Sequence, residues 1–410
     1  MSSGCDEGYM VGPLGSWIKG QKTEAPPSLS FLHEDWKDLE SWKKEARNQF
    51  RSLICSPAID TGLPPEITVD QVSNCEGLRI EKLRWQLPFG PETEAFFLKP
   101  EGVNKPLPGI LGFHDHGGMK YFGKQKITRT GKDLHPLLSS HQQTYYGGTA
   151  WANELARRGY AVLVHDIFPF ESRRILPSQL PAHVVDRMMA NPETVRELTP
   201  EDIDGETLSQ FYEVAPAGTA EEIHRYDAFA ARHEEIIAKS LFSAGISWPG
   251  VCLAEDLFAL DYLCSREDID SSRVGCCGLS GGGLRTCYLA GLDDRIRCSV
   301  TAGFMTSWQD FSLHKCFTHT WMIYIPMLPN VMDFPDILGM RAPLPSFVCA
   351  TREDPLFTLE EVEKSAAILA SVYKKAGAEK AFQFKLYDGP HKFDQPMQKE
   401  AFAWLDRWLS

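Results

Sequence analysis

Arg273-Val-Gly-Cys-Cys-Gly-Leu-Ser-Gly-Gly-Gly-Leu-Arg-Thr-Cys-Tyr-Leu-Ala290 is the stretch that decides how the rest of the chain is read. Val274 to Leu279 are small or apolar and predict a short buried strand, a helical pattern begins at Gly281, and the junction is a G-x-S-x-G over residues 278–282. A strand that turns at once into a helix strains the residue at the bend, and neighbours without side chains relieve the crowding. Ser280 then stands above the end of the strand with the first amides of the helix beside it, as in a nucleophile elbow. A glycine-rich turn with an incidental serine would carry the same pentapeptide, so its surroundings must decide.

On both sides of this stretch strand and helix patterns alternate. Upstream, Leu78 to Leu87 and Ala95 to Leu98 predict two strands around a Pro-Phe-Gly-Pro turn at 88–91. An apolar strand from Pro108 then ends in Phe113-His-Asp-His-Gly-Gly118, and residues 119–147 show an irregular pattern. A helix from Thr149 to Arg158, stopped by Gly159, leads into the strand Tyr160 to Asp166. Downstream, strands are predicted at Arg297–Ala302, Leu344–Ala350 and Ala381–Tyr387, with helices at 251–264, 282–291, 359–375 and 395–409. Strand, helix, strand in this order implies right-handed parallel crossovers.

Three segments depart from the alternation. Residues 170–247 are charged and helical in pattern, with Met188-Met189, Phe211-Tyr212 and a helix through Arg232 to Ile237. An insertion there would sit over the C-terminal edge of the sheet as a cap, where ligands bind. Residues 303–343 are rich in aromatic residues and methionine (Met305, Trp308, Phe311, Trp321, Met322, Tyr324, Met327) and serve either as core filling or as one wall of a hydrophobic pocket. Near the start, Trp36, Leu39, Trp42, Phe50 and Leu53 recur at helical spacing over Glu34 to Ile54. The expected division is an N-terminal helical extension, 1–75, followed by a main α/β domain, 76–410, that carries the cap.

The 42 basic and 55 acidic residues leave a net charge of −13, which argues against a nucleic-acid or anionic-membrane surface. No basic segment followed by an apolar run opens the chain, and no uninterrupted apolar stretch reaches membrane-spanning length, so a soluble, cytoplasmic protein is expected. Of the 11 cysteines, Cys276, Cys277, Cys298 and Cys349 fall inside predicted buried strands and act there as small hydrophobes rather than as a disulfide framework.

A serine hydroxyl needs a general base, and that base an orienting carboxylate. The strand ending at Ala350 runs into Thr351-Arg-Glu-Asp-Pro355, and the strand ending at Tyr387 into Asp388-Gly-Pro-His-Lys392. Both loops fall at the sheet edge expected to hold Ser280, so Ser280, Asp354 and His391 are the candidate triad, in the order serine, acid, histidine. Glu353 is the rival acid; Asp354 is preferred because Pro355 fixes the turn after it. The oxyanion donors are expected from the amide of Gly281 and that of His116 or Gly117. His114, Asp115, His116, His165 and Asp166 could alternatively hold a metal, but they lack a distant ligand pair of fixed spacing.

With these residues the chain resembles the α/β-hydrolase superfamily over residues 78–410, and more narrowly its dienelactone-hydrolase and acetyl-xylan-esterase-like branch. The stretches that carry the resemblance are Phe113–Gly118, Ser247-Trp-Pro-Gly250 with Asp256, Gly278–Gly282, Asp333-Phe-Pro-Asp336 and Asp388–His391. At the oxyanion loop relatives often have His-Gly, whereas here Asp115 follows His114. The resemblance implies a mostly parallel, eight-stranded sheet flanked by helices, and hydrolysis of carboxylic esters through an acyl-enzyme. It implies a small-molecule ester substrate and no cofactor or metal; the aromatic N-terminal helix would suit a homodimer contact. The competing expectations are a non-catalytic binding protein on the same scaffold, a metal-dependent hydrolase, and a hydrolase of amides or lactones.

Overall fold

The computed structural model describes residues 8–21, 25–59, 66–189 and 218–410. Nine strands, β1 (Thr68–Cys75), β2 (Leu78–Trp85), β3 (Thr93–Pro100), β4 (Leu107–Phe113), β5 (Ala161–His165), β6 (Ile269–Leu279), β7 (Ile296–Ala302), β8 (Ser346–Thr351) and β9 (Phe382–Tyr387), form one sheet. Their order is β1-β2-β3-β5-β4-β6-β7-β8-β9. The pairs from β5–β4 through β8–β9 are parallel, while β1–β2, β2–β3 and β3–β5 are antiparallel.

Alternate residues of the central strands feed two cores, one on each face of the sheet. On β4, Leu111 joins the core that also holds Trp42 and Phe50, and Ile110 joins the one holding Trp151 and Met397; on β6, Cys276 and Cys277 divide in the same way. Burial on both sides is why these strands read as apolar runs rather than as an alternation. The N-terminal helix Leu39–Leu53 starts where the Asp38 carboxylate accepts from the Ser41 amide at 2.7 Å. Its Trp42 and Phe50 are fully buried in the chain's own core, and Arg47 pairs with Asp294 at 2.6 Å.

The sheet has one strand more than the eight expected. The extra strand, β1, is almost entirely exposed, so no apolar alternation marks it in the sequence. It pairs on the edge of β2 through a two-residue turn in which Glu76 and Gly77 both have positive φ, at 49° and 77°. A second correction falls in the irregular stretch 119–147, which contains the helix Pro136–Tyr146. That helix buries His141, Gln142 and Tyr146 beside Leu138, so polar residues occupy the face that periodicity would need to be apolar. The expected cap contributes helices Ala182–Met189 and Ala220–Ser243; its Phe211 and Tyr212 lie outside the described residues.

Candidate active site

Four parallel strands end on one rim of the sheet. β4 leads into residues 114–118, β6 into Ser280, β8 into Asp354 and β9 into His391.

Ser280 has φ 58° and ψ −117°, a conformation a residue with a side chain adopts only where its surroundings impose it. A Cβ on Gly278 would lie 2.6 Å from the backbone carbon of Gly282, and one on Gly282 would lie 2.3 Å from the carbonyl oxygen of Phe113. Glycine at both positions is therefore what lets the helix Gly281–Leu292 begin tight against its own strand and the neighbouring loop.

His391 Nδ1 is 2.6 Å from Asp354 Oδ2. The carboxylate accepts the Nδ1 proton, which leaves Nε2 as the bare, basic nitrogen. That Nε2 is buried and has no hydrogen-bond partner among the described residues, and His391 and Ser280 line one cavity. The other Asp354 oxygen accepts from the Leu356 amide at 2.9 Å, across Pro355. Glu353 is directed elsewhere: its carboxylate accepts from the Gly389 amide and its own amide donates to the Gly389 carbonyl at 3.2 Å, tying the two loops together. Of the two candidate acids, Asp354 is the one on His391.

The loop after β4 is held from beneath by Lys126, whose Nζ donates to the carbonyl oxygens of Asp115 at 2.9 Å and His116 at 2.8 Å. In a trans peptide the N–H points opposite to the carbonyl. The amides of His116 and Gly117 therefore face away from Lys126. A Cβ on Gly281 would come within 3.2 Å of the His116 nitrogen, so the His116 amide and the start of the nucleophile helix stand side by side. The first amides of a helix have no intrahelical partner and are free to donate. Asp115, the departure from the relatives' pattern, turns its carboxylate to Tyr146 OH and to His141 Nε2 at 3.1 Å. Burial opposes its charge, but His141 and Lys126 outweigh burial and keep the carboxyl well below its ordinary range.

The helix Ala220–Ser243 ties the same loop through Glu234. The His116 Nδ1 accepts from the Gly118 amide at 3.1 Å, so its Nε2 carries the proton and donates to Glu234 Oε1 at 2.9 Å. Glu234 also receives Lys120 Nζ at 2.6 Å and the Trp321 amide at 3.1 Å. Burial works against the Glu234 charge, yet the His116 and Lys120 bonds hold its carboxyl well below the usual range. Burial, reinforced by Lys120, lowers the His116 imidazole below its ordinary value, against the bond to Glu234.

The cavity above Ser280 measures about 200 Å³ and is walled by Cys252, Leu284, Tyr288, Phe304 and Met322, among others. In the aromatic segment 303–343, Phe304 and Ile323 join Trp308 and Phe311 in the core and also, with Met322, line the cavity. The residues of the rival metal cluster are engaged separately. His165 Nε2 meets Asp256 Oδ1 at 3.0 Å and Asp166 meets Lys124 Nζ at 2.7 Å, and among the described residues no group of three His, Cys, Asp or Glu could hold a metal ion. Sequence reasoning missed Lys126, Tyr146 and Glu234, which hold the loop; the one signal available was the density of His, Lys and Tyr in the otherwise patternless 119–147.

The model of the Prolyl oligopeptidase family (Peptidase_S9) matches residues 245–389, a span that includes Ser280 and Asp354 and stops short of His391. The chain is 25% identical over 334 residues, 80% of its own length and 88% of the relative's, to "Putative hydrolase YtaP" of Bacillus subtilis strain 168. Among solved structures it is similar to a "putative acetyl xylan esterase" from Bacteroides fragilis, with a TM-score of 0.63 and 17% identity over 94% of this chain and 84% of that one. It is also similar to a glucuronoyl esterase from Solibacter usitatus, with a TM-score of 0.59 and 13% identity over 95% and 99% of the two chains. The mostly parallel sheet, the elbow after β6 and these matches together give the chain an α/β-hydrolase fold.

Proposed function

We propose that the protein is a serine hydrolase that cleaves small carboxylic esters of acetyl or another short acyl group through an acyl-enzyme. One observation carries this: a bare, buried His391 Nε2, oriented by Asp354 at 2.6 Å, lines the same cavity as a serine in strained elbow geometry. His391 takes the Ser280 proton as the hydroxyl attacks the ester carbonyl. The amides of Gly281 and His116 receive the oxyanion, and the imidazolium stabilised by Asp354 returns its proton to the departing alcohol. Water, deprotonated by His391, then releases the acid. The esterase names of the solved relatives and the cavity of about 200 Å³ support a compact ester substrate.

Ser280→Ala is expected to lower hydrolysis of 4-nitrophenyl acetate by about 10⁴-fold or more and to abolish fluorophosphonate labelling. Retention of both by the variant would overturn the assignment. The match to a peptidase family favours a second reading, cleavage of an amide. Comparing 4-nitrophenyl acetate with 4-nitroacetanilide separates the two, the ester being expected to turn over much faster.

A further inference from the structure

We propose that Arg285 and His114 form a hydroxyl-recognition pair on the cavity wall, which makes the enzyme selective for esters that carry a free hydroxyl group. This rests on the ester-hydrolase reading above and names the substrate class of the same site.

Arg285 lies about one turn into the helix Gly281–Leu292 and is 3% exposed. Its Nε and Nη2 bind Asp256 at 2.6–3.2 Å, and its guanidinium stacks over the Phe113 ring at 4.3 Å. Nη1 is left with no partner among the described residues. His114 is 1% exposed and places Nδ1 3.0 Å from the Asp115 carbonyl oxygen. A carbonyl only accepts, so Nδ1 carries the proton and Nε2 is a bare acceptor, likewise without a partner among the described residues. Both side chains line the cavity that holds Ser280. Buried polar atoms are almost always satisfied, so an unpaired donor and an unpaired acceptor on one cavity wall point to a ligand that completes both.

The chemistry of that ligand follows from what each atom can do. A carbonyl or ether oxygen accepts from Arg285 but has nothing to give His114 Nε2. An alkyl group serves neither. A carboxylate also lacks a proton for Nε2, and the Arg285 charge is already balanced by Asp256 at 2.6 Å. An ammonium group could donate to Nε2 but has no lone pair with which to accept from Arg285 Nη1. A hydroxyl accepts from Nη1 and donates to Nε2. A third cavity residue, His319, has its Nδ1 engaged by the Thr318 hydroxyl at 2.7 Å and the Lys315 carbonyl oxygen at 3.1 Å, and its buried Nε2 has no partner among the described residues. The cavity is thus apolar in most of its wall and supplied with hydrogen-bonding atoms that match a hydroxylated ester.

The test pairs substrates that differ in one hydroxyl: 4-nitrophenyl 3-hydroxybutanoate against the butanoate for the acyl part, and 2-hydroxypropyl acetate against propyl acetate for the alcohol part. The wild-type protein is expected to favour the hydroxylated member of at least one pair by about 10-fold or more in kcat/KM, because a site built around a hydroxyl rejects its absence. Arg285→Lys, which keeps the charge opposite Asp256, and His114→Phe are each expected to bring that ratio to about one. A wild-type ratio near one in both pairs, with the simple esters still hydrolysed, would overturn the pair while leaving the hydrolase reading intact, and this holds even if neither variant folds. Preference retained in both folded variants would equally overturn it. Failure to hydrolyse any of the four esters would remove the hydrolase reading and this inference with it.

Discussion

Glu234→Gln tests whether the helix Ala220–Ser243 holds the loop after β4 in the position that the proposed oxyanion role of the His116 amide requires. The Glu234 carboxylate accepts three hydrogen bonds, from His116 at 2.9 Å, Lys120 at 2.6 Å and the Trp321 amide at 3.1 Å, and Lys120 is itself 1% exposed. Removing one member of a buried ion pair costs about 3–5 kcal/mol. Glutamine keeps the shape and one accepting oxygen, so a loss of about 2–3 kcal/mol is expected. Unfolding entropy of about 2 cal/mol/K per residue over 410 residues converts this into a fall in Tm of about 3 °C. The catalytic effect is separable. Deleting an oxyanion donor costs about 10²–10³ in kcat, whereas here the His116 amide would be displaced rather than lost, so a fall of about 10-fold is expected. It should appear in kcat with KM little changed, because the oxyanion exists only in the transition state. Melting curves and steady-state hydrolysis of 4-nitrophenyl acetate provide both readouts. A lowered Tm with unchanged kcat would refute the positioning role and reduce Glu234 to a structural tie.

Three further outcomes follow from the same geometry. Asp354→Asn should lower kcat by about 10³–10⁴-fold, since an amide would favour the wrong tautomer of His391, whereas Glu353→Gln should stay within a few-fold; equal losses in ester hydrolysis would refute the assignment of the acid. Arg47→Ala should lower Tm by about 3 °C with kcat unchanged, because this side chain, 13% exposed, joins the N-terminal helix to Asp294 and to the carbonyls of Gly291 and Met340. Burial pushes His319 and His233 down to about 4, so the folded state favours their neutral forms and the unfolded state binds the extra protons. The stability that depends on them is complete above about pH 6.5 and is lost as pH falls toward about 4, with a slope of up to about 1.4 kcal/mol per pH unit for each histidine. Urea midpoints at pH 7, 6 and 5 measure it, and a midpoint that does not change over this range would contradict the assignment.

The fold and the placement of the candidate reacting side chains on one rim were legible because each is written locally. A parallel strand buried on both faces leaves an apolar run, as in Val274–Leu279 and Leu344–Ala350, and a side chain at the end of such a run is delivered to the common rim whatever the intervening sequence does. Ser280, Asp354 and His391 all stand in that position. What escaped the sequence is non-local or polar. β1 is fixed by the edge of β2 and by the turn at Glu76-Gly77 rather than by any apolar pattern of its own. The helix Pro136–Tyr146 buries His141 and Tyr146 to hold Asp115, so the residues that make it functional are those that erase its amphipathic signature. Lys126 and Glu234 lie ten and 118 positions from His116, and nothing in the spacing announces that one supports its carbonyl from below and the other its imidazole from above. Candidate reacting groups can be read from chain order because the sheet sorts them to one rim, whereas the groups that position them are chosen by charge and distance after folding. The loop after β4 shows the consequence: its glycines suggested two candidate amides, and the preference for His116 as the proposed donor comes only from the bonds of Lys126 to the loop carbonyls and the closeness of the His116 nitrogen to Gly281.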